Sequence, residues 1–194
     1  MHVIFTGVKS LQENPLMKTN LKIAQLDKTE APQAVKLLCT AFNEAAAFVE
    51  KEIAESFVHK SHRPVTFAAS VDGKVVGVVR CRLYYAMRPG DDPIYGLYSL
   101  GVDPAFRQQG IGHGLMQHVE SYVSKRLAPG QRAMLLLGDK TKKENPASTF
   151  YEDMGYTPEP PRLAYEDGVP ELAKYVSKPP APERNAGPAS RNLA

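Results

Sequence analysis

Apolar residues recur along this chain with two different periods, and the switches between them mark out its elements. A short strand fits Lys22 to Leu26. Thr29 then offers a helix cap, and Ala31, Val35, Leu38, Cys39 and Phe42 follow at helical spacing, which predicts a first helix. Phe48, Val49, Ile53, Phe57 and Val58 predict a second, ended before the loop-like composition of His59 to Pro64. The period then falls to two. Val65, Phe67, Ala69 and Val71 alternate with mostly small or polar partners, and Asp72-Gly73 supplies the two positive-φ positions of a tight turn before Val75 to Tyr85. This predicts a β-hairpin.

Arg88 to Pro93 breaks the pattern, and Ile94 to Val102 reads as the next strand, with Gly96 and Gly101 as bulge or close-approach positions. Ile111, Leu115, Met116, Val119, Tyr122 and Val123 mark one face of a helix running to about Arg126, where Lys125 and Arg126 suit the negative end of the helix dipole. Pro129-Gly130 stops it. Ala133 to Leu137 is continuously apolar, the mark of a strand covered on both faces. Asn145-Pro146 opens a helix with Ala147, Phe150, Tyr151 and Met154 on one side and Gly155 as its C-terminal cap. Two more strands are expected near Tyr156 and from Glu171 to Ser177, giving the order β-αα-ββ-β-α-β-α-β-β. Residues 1–20 have no sustained period and read as an N-terminal arm, either disordered or an added strand. A single folded domain is expected over 21–177, and the prolines after it make 178–194 a disordered tail.

A chain of 194 residues with 43% hydrophobic residues suffices for one domain with a substantial core. The formal net charge of +3 is carried by the two ends, because residues 21–176 sum to zero. That leaves no basic face for nucleic acid, and no nucleic-acid partner is expected. Cys39 and Cys81 fall in apolar patterns and read as buried reduced thiols, with no disulfide framework and no metal knuckle. No apolar run approaches the ~18 residues of a membrane span, and Met1 to Val8 lacks the basic start and long apolar centre of a signal peptide. The expectation is a cytoplasmic protein with no membrane partner.

The chemistry concentrates where a strand meets a helix. Val102-Asp103-Pro104 leads into Arg107-Gln108-Gln109-Gly110-Ile111-Gly112, a glycine-containing turn that opens the third helix. The first amides of a helix have no intrahelical acceptor, and the aligned peptide dipoles favour an anion beside them. Gly110 and Gly112 remove side chains that would hold a pyrophosphate away, and Arg107 adds charge. Tight packing accounts for many such glycines, so the turn alone does not decide. Rival motifs fail on residue count. Ala68 stands where a P-loop ending in Gly73-Lys74 needs a glycine, and Leu115 stands where a dinucleotide fingerprint needs its third. Gly96 to Gly101 misses the hydrolase elbow by one residue, which leaves Ser99 as an ordinary strand serine. No metal-ligand spacing appears, and His59, His62, His113 and His118 read as solvated or loop histidines.

Leu100-Gly101-Val102-Asp103-Pro104 followed by Arg107-Gln108-Gln109-Gly110-Ile111-Gly112 resembles the acetyl-CoA signature R/Q-x-x-G-x-G/A of the GCN5-related N-acetyltransferase superfamily. Asn145 with Phe150 to Tyr156 is similar to that family's later N...FYExxGF element. The resemblance spans about 21–177 and implies an α/β fold with a mixed, mostly antiparallel central sheet of about six to seven strands flanked by about four helices. It implies an N-acetyltransferase that moves an acetyl group from acetyl-CoA, as co-substrate and without a metal, to a primary amine of a small molecule or peptide by direct attack. Leu100, Val102, Arg107, Gln108, Gln109, Gly110, Gly112, His113, Asn145 and Tyr151 would bind the cofactor. The pantetheine arm would pair with backbone at Leu100 and Val102, an amide near Leu100 would face the developing oxyanion, and Tyr151 would protonate the leaving thiolate. A core tyrosine on an apolar helix face is the alternative for Tyr151.

The sequence departs from many relatives in one respect: the strand from Ile94 to Val102 carries no Glu or His to act as base. Tyr95, Tyr98 and Ser99 are its polar groups, with Asp91 and Asp92 just upstream, and a water chain ending on Asp92 or a tyrosine is the expectation. The acceptor pocket would be walled by the first two helices, the loop after Tyr85 and Pro158 to Gly168, with Arg63, Arg88, Arg162, Tyr165 and Glu166 as candidate charge selectors. Pairing through strands is common in the family, so a homodimer is one arrangement it allows. The missing carboxylate leaves a non-catalytic acyl-CoA-binding regulatory module as the alternative, and the proline-rich tail an interaction role.

Overall fold

The structure, a computed structural model, describes residues 20–58, 64–85, 92–138, 146–159 and 171–179. Its elements follow the predicted order: β1 (Leu21–Gln25), α1 (Ala31–Phe42), α2 (Ala46–Glu55), β2 (Val65–Val71), β3 (Lys74–Tyr85), β4 (Ile94–Val102), a 3-10 turn (Pro104–Phe106), α3 (Ile111–Arg126), β5 (Arg132–Gly138), α4 (Pro146–Asp153), β6 (Thr157–Glu159) and β7 (Glu171–Ser177). Seven strands and four α-helices give the α/β class with a mixed, mostly antiparallel sheet, as expected. The chain divides into two compact units, one reaching Arg82 and resuming over Leu97–Val119, the other made of Leu83–Gly96 and the chain from Glu120. The N-terminal arm up to residue 19 and the tail from 180 lie outside the described residues. Among the described residues, no helix is long and apolar enough to cross a membrane.

In the first unit β1, β2, β3 and β4 are neighbours in that order. Asp72 and Gly73 take φ of 50° and 80°, so the tight turn forms where the dipeptide placed it, between Val71 and Lys74. Alternation along β2 and β3 then splits the core between two faces. Ala68 and Val78 pack with Leu38 of α1 and with Val49 and Ile53 of α2. On the other face a Cβ at Gly77 would lie 2.9 Å from Leu115 and 3.0 Å from Ile111, so this glycine lets α3 sit directly on the strand. Each fully buried aliphatic side chain contributes about 1.5–3 kcal/mol, and Leu38, Val49, Ile53 and Leu115 are all buried to 2% exposure or less.

The start of α1 differs from the expectation. Glu30, not Thr29, is the N-cap residue, and its side chain makes no capping bond to the helix. Thr29 is drawn away by Asp27, whose Oδ1 accepts from the Thr29 amide at 2.8 Å and from its hydroxyl at 2.7 Å. The threonine oxygen is thereby engaged as a donor, and those two bonds hold the Asp27 carboxyl below the ordinary range. Pro32 in the first turn lacks an N–H and so removes one of the donors that a cap would have to satisfy.

In the second unit β5, β7 and β6 are neighbours, with Leu135 opposite Lys174 and Thr157 opposite Ala173. Ala133 to Leu137 is buried throughout, the covered strand its apolar run predicts. Helix α4 ends in a Schellman arrangement. Gly155 takes φ of 82°, its amide bonds Glu152 O at 2.8 Å, and the Tyr156 amide bonds Tyr151 O at 3.0 Å. The end of β7 is fastened by Ser124 Oγ to Ser177 O at 2.9 Å and by reciprocal bonds of Lys178 with Gly130 and Gln131.

Candidate functional site

The segment from β4 through the turn into α3 gathers most of the predicted residues on one continuous stretch of the first unit. Inside β4, Ser99 adopts φ of 57°. A left-handed conformation costs an L-residue about 1–2 kcal/mol and departs from pleated geometry, so β4 is distorted locally at Ser99 while the strand itself continues to Val102. This corrects the reading of Ser99 as an ordinary strand serine. The bulge expectation for Gly96 and Gly101 resolves into close approach. A Cβ at Gly101 would lie 3.1 Å from Leu37 and 3.4 Å from Ala41, so its absence lets α1 seat against β4. In the second unit a Cβ at Gly96 would overlap the Tyr84 ring.

Beyond Val102 the turn is held by side chains bonded to backbone. Asp103 gives its amide to Val76 O at 2.9 Å and accepts from the Ala105 amide at 3.0 Å and from Lys74 Nζ at 2.9 Å. The Lys74 bond first, then the Ala105 amide, keeps its carboxyl below the ordinary range. Arg107 Nε donates to Val102 O at 3.1 Å, and Gln109 Nε2 to Ala105 O at 3.2 Å. Gln108 and Gly110 take φ of 59° and 78°, which reverses the chain into α3. The Gly114 amide bonds Gly110 O at 2.9 Å, so the amides of Ile111 and Gly112 come too early for any acceptor within the helix. A Cβ at Gly110 would meet nothing within 4 Å. The free amide donors and the positive end of a 16-residue helix coincide at this turn, which suits a phosphate or pyrophosphate.

Leu100, Val102, Arg107, Gln108, Gln109, Gly110, Gly112 and His113 all lie on this stretch, with Arg107, Gln108, Gly110 and His113 exposed. Tyr151 belongs to the second unit. It is half-buried on α4, its ring edge-on to Phe150 at 5.0 Å and to Tyr156 at 6.1 Å, and its carbonyl is fixed by the Schellman bond. Asn145 lies outside the described residues, as do Asp91, Arg63, Arg88, Arg162, Tyr165 and Glu166. Asp92 is ion-paired to Arg132, whose guanidinium stacks over the Tyr175 ring at 4.8 Å, so its carboxylate is already engaged. His118 is not in a loop. It sits on α3, half-buried, edge-on to Phe67 at 4.9 Å. Cys81 is buried and Cys39 half-buried, and neither forms a disulfide among the described residues. Among the described residues, no group of three or more His, Cys, Asp or Glu could hold a metal.

Two features escaped sequence reasoning. Arg80 of β3 is buried, paired with Glu52 of α2, and stacked over the Tyr98 ring at 4.4 Å, beside a second pair in which Arg82 bonds Glu55 at 3.3 Å. Asp103 faces Val76 and Tyr98 faces Arg80, so β3 and β4 run antiparallel and Arg80 lies across from the stretch beside the left-handed Ser99. The available signal was weak: arginines two apart on one strand face, and glutamates three apart on one helix face. The other feature is a cleft of about 430 Å³ between the α1 face that carries Gln33, Lys36, Leu37, Thr40 and Ala41 and the start of β3 and the end of β4.

Comparison with known proteins bears on the family and the fold. The profile described as the acetyltransferase (GNAT) family matches residues 29–156. No curated protein matches the sequence. Among solved structures, the chain is similar to the ribosomal-protein-S18-alanine N-acetyltransferase from Escherichia coli, at 23% identity and a TM-score of 0.59 over 84% of this chain and 97% of that one. It is also similar to an aminoglycoside 6′-N-acetyltransferase complexed with coenzyme A, at 19% identity and 0.60 over 84% and 99%. An aminoglycoside 6′-acetyltransferase type Ii is similar at 23% identity and 0.61 over 83% and 99%. At these identities the likeness to the structures is one of fold.

Proposed function

Because this chain belongs to the GNAT acetyltransferase family, we propose that it transfers an acetyl group from acetyl-CoA to a primary amine of a small molecule or peptide by direct attack on the thioester. The observation that carries the reading is the turn from Val102 to Gly112, where helix amides too early for an intrahelical acceptor follow a left-handed Gln108 and Gly110. The cofactor's pyrophosphate rests on the amides from Gln108 to His113, and the pantetheine arm pairs with the backbone of Leu100 and Val102. The left-handed Ser99 supports that pairing, since a local distortion of β4 just before Leu100 re-aims the backbone groups that follow. The amide near Leu100 donates to the oxyanion as the amine attacks. Tyr151 then gives its phenol proton to the departing sulfur, and an amine that arrives partly deprotonated needs no strong base. A free phenol titrates near ~10 and a thiol near ~8.5, so this transfer is concerted with C–S cleavage.

Calorimetric titration of acetyl-CoA into the wild type and a Gly112→Asp variant tests the turn. The added carboxylate is expected to abolish binding while circular dichroism stays unchanged, and unchanged affinity would overturn the assignment. Release of thiol across a panel of amines then identifies the acceptor class. Tyr151→Phe is expected to lower kcat by about 10²–10⁴-fold with acetyl-CoA affinity retained. An unchanged kcat would leave Tyr151 as a packing residue.

A further inference from the structure

The cleft beneath α1 contains two lysines, Lys36 and Lys74, that the proposed transfer does not use. Its wall from α1 is a single stripe, Gln33, Lys36, Leu37, Thr40 and Ala41, and its opposite wall runs from Lys74 and Val75 through Val102 to Arg107. Gln33 is built in as a structural part: its Oε1 accepts from the Val75 amide at 3.0 Å and its Nε2 donates to Gly73 O at 3.4 Å. Lys36, Lys74 and Arg107 face a single carboxylate, Asp103, which leaves a surplus of two positive charges. Asp103 is committed to Lys74 and to the Ala105 amide, and Arg107 gives only its Nε to Val102. Among the described residues, no carboxylate is within ion-pair distance of Lys36 or of the outer nitrogens of Arg107.

We propose that this cleft seats a phosphate monoester dianion carried on an organic body. The charge surplus matches a dianion, and a guanidinium fork with an ammonium point charge suits tetrahedral phosphate oxygens. The volume is that of a small-molecule site, and Leu37, Ala41, Val75, Val102 and Pro104 offer apolar surface to the rest of the ligand, which an inorganic ion would leave uncovered. Gly101 lets α1 come close enough to form the wall. Two sources present this chemistry: the ribose 3′-phosphate of the acyl-CoA itself, an arm that rests on the function proposed above, or a separate phosphorylated metabolite.

The test is calorimetry of the full-length protein with four probes, adenosine 3′-monophosphate, adenosine, acetyl-CoA and acetyl-dephospho-CoA, on wild type, Lys36→Ala, Lys36→Glu and Lys74→Ala. Adenosine 3′-monophosphate is expected to bind where adenosine does not, and Lys36→Ala to weaken it by about tenfold, with Lys36→Glu removing it. A matching loss for acetyl-CoA, with acetyl-dephospho-CoA unaffected, makes the cofactor its source. Unchanged acetyl-CoA affinity, with adenosine 3′-monophosphate still bound to the acetyl-CoA complex, makes the source a separate molecule. Equal binding of adenosine and its monophosphate by wild type, or no response to either Lys36 variant, overturns the proposal. In that event acetyl-dephospho-CoA bound by wild type and lost in Gly112→Asp would still support the turn, so the two readings fail separately.

Discussion

Two arginines of this protein make nearly the same contacts in opposite surroundings. In the first unit Arg80 stands on a strand, stacks over Tyr98 at 4.4 Å and pairs with Glu52. In the second, Arg132 stands on a strand, stacks over Tyr175 at 4.8 Å and pairs with Asp92. The Arg80 side chain is 1% exposed and that of Arg132 61%. Exposure decides what the contacts mean. Arg132 keeps most of its hydration, and its pair gains little from a high dielectric. Arg80 has surrendered its water, and its Nε has no hydrogen-bond partner among the described residues, so Glu52 and the Tyr98 ring must offset the desolvation. This buried cation lies across from the left-handed Ser99 of β4.

Removing the buried cation should have the largest effect. Arg80→Ala leaves Glu52 half-buried without its partner and is expected to destabilise by about 3 kcal/mol, near the low end for breaking a buried pair because Glu52 is partly solvated. Denaturant unfolding measures this, and replacing both partners together, Arg80→Met with Glu52→Leu, should recover most of it. A single-variant loss no larger than that of Arg132→Ala would break the comparison. Arg132→Ala itself is expected to cost about 0–1 kcal/mol in the same assay, and less as salt is raised.

The smallest effect belongs to Asp103, a half-buried carboxylate whose partners differ from both. Its folded-state pKa is lowered, by Lys74 first and then by the Ala105 amide. A depressed carboxylate stabilises the fold above its unfolded value, near ~3.9, and that contribution fades as pH falls through the folded value. Asp103→Asn should therefore lower stability slightly at neutral pH and match wild type in strong acid. A difference that persists at the acid end would mean the bond to Ala105, and not the charge, is what matters.

These contrasts also divide what the sequence could disclose from what it could not. The element order was readable because each element needs only its own neighbours: Asp72-Gly73 turns wherever two strands flank it, and Ala133 to Leu137 can only be a covered strand. The phosphate turn was readable for the same reason, since amides, glycines and dipole sit within eleven residues. Arg80 and Glu52 are 28 positions apart, and an arginine in an apolar strand pattern looks like any edge residue until α2 is laid over it. Ser99 gave no sign because a left-handed serine is imposed by its surroundings and has no composition of its own. Thr29 misled because Asp27, two residues earlier, competes for the same hydroxyl.

The side chain of Gln33 behaves as a detached piece of backbone. Its amide receives the Val75 N–H and gives to the Gly73 carbonyl, as a further strand would at that point of the hairpin. Protection of the Val75 proton from solvent exchange therefore requires α1 to be in place on the sheet, whereas protons bonded strand to strand stay shielded when α1 lifts. One resonance in an exchange spectrum thus times the seating of that helix, and would slow if a ligand pinned it from below.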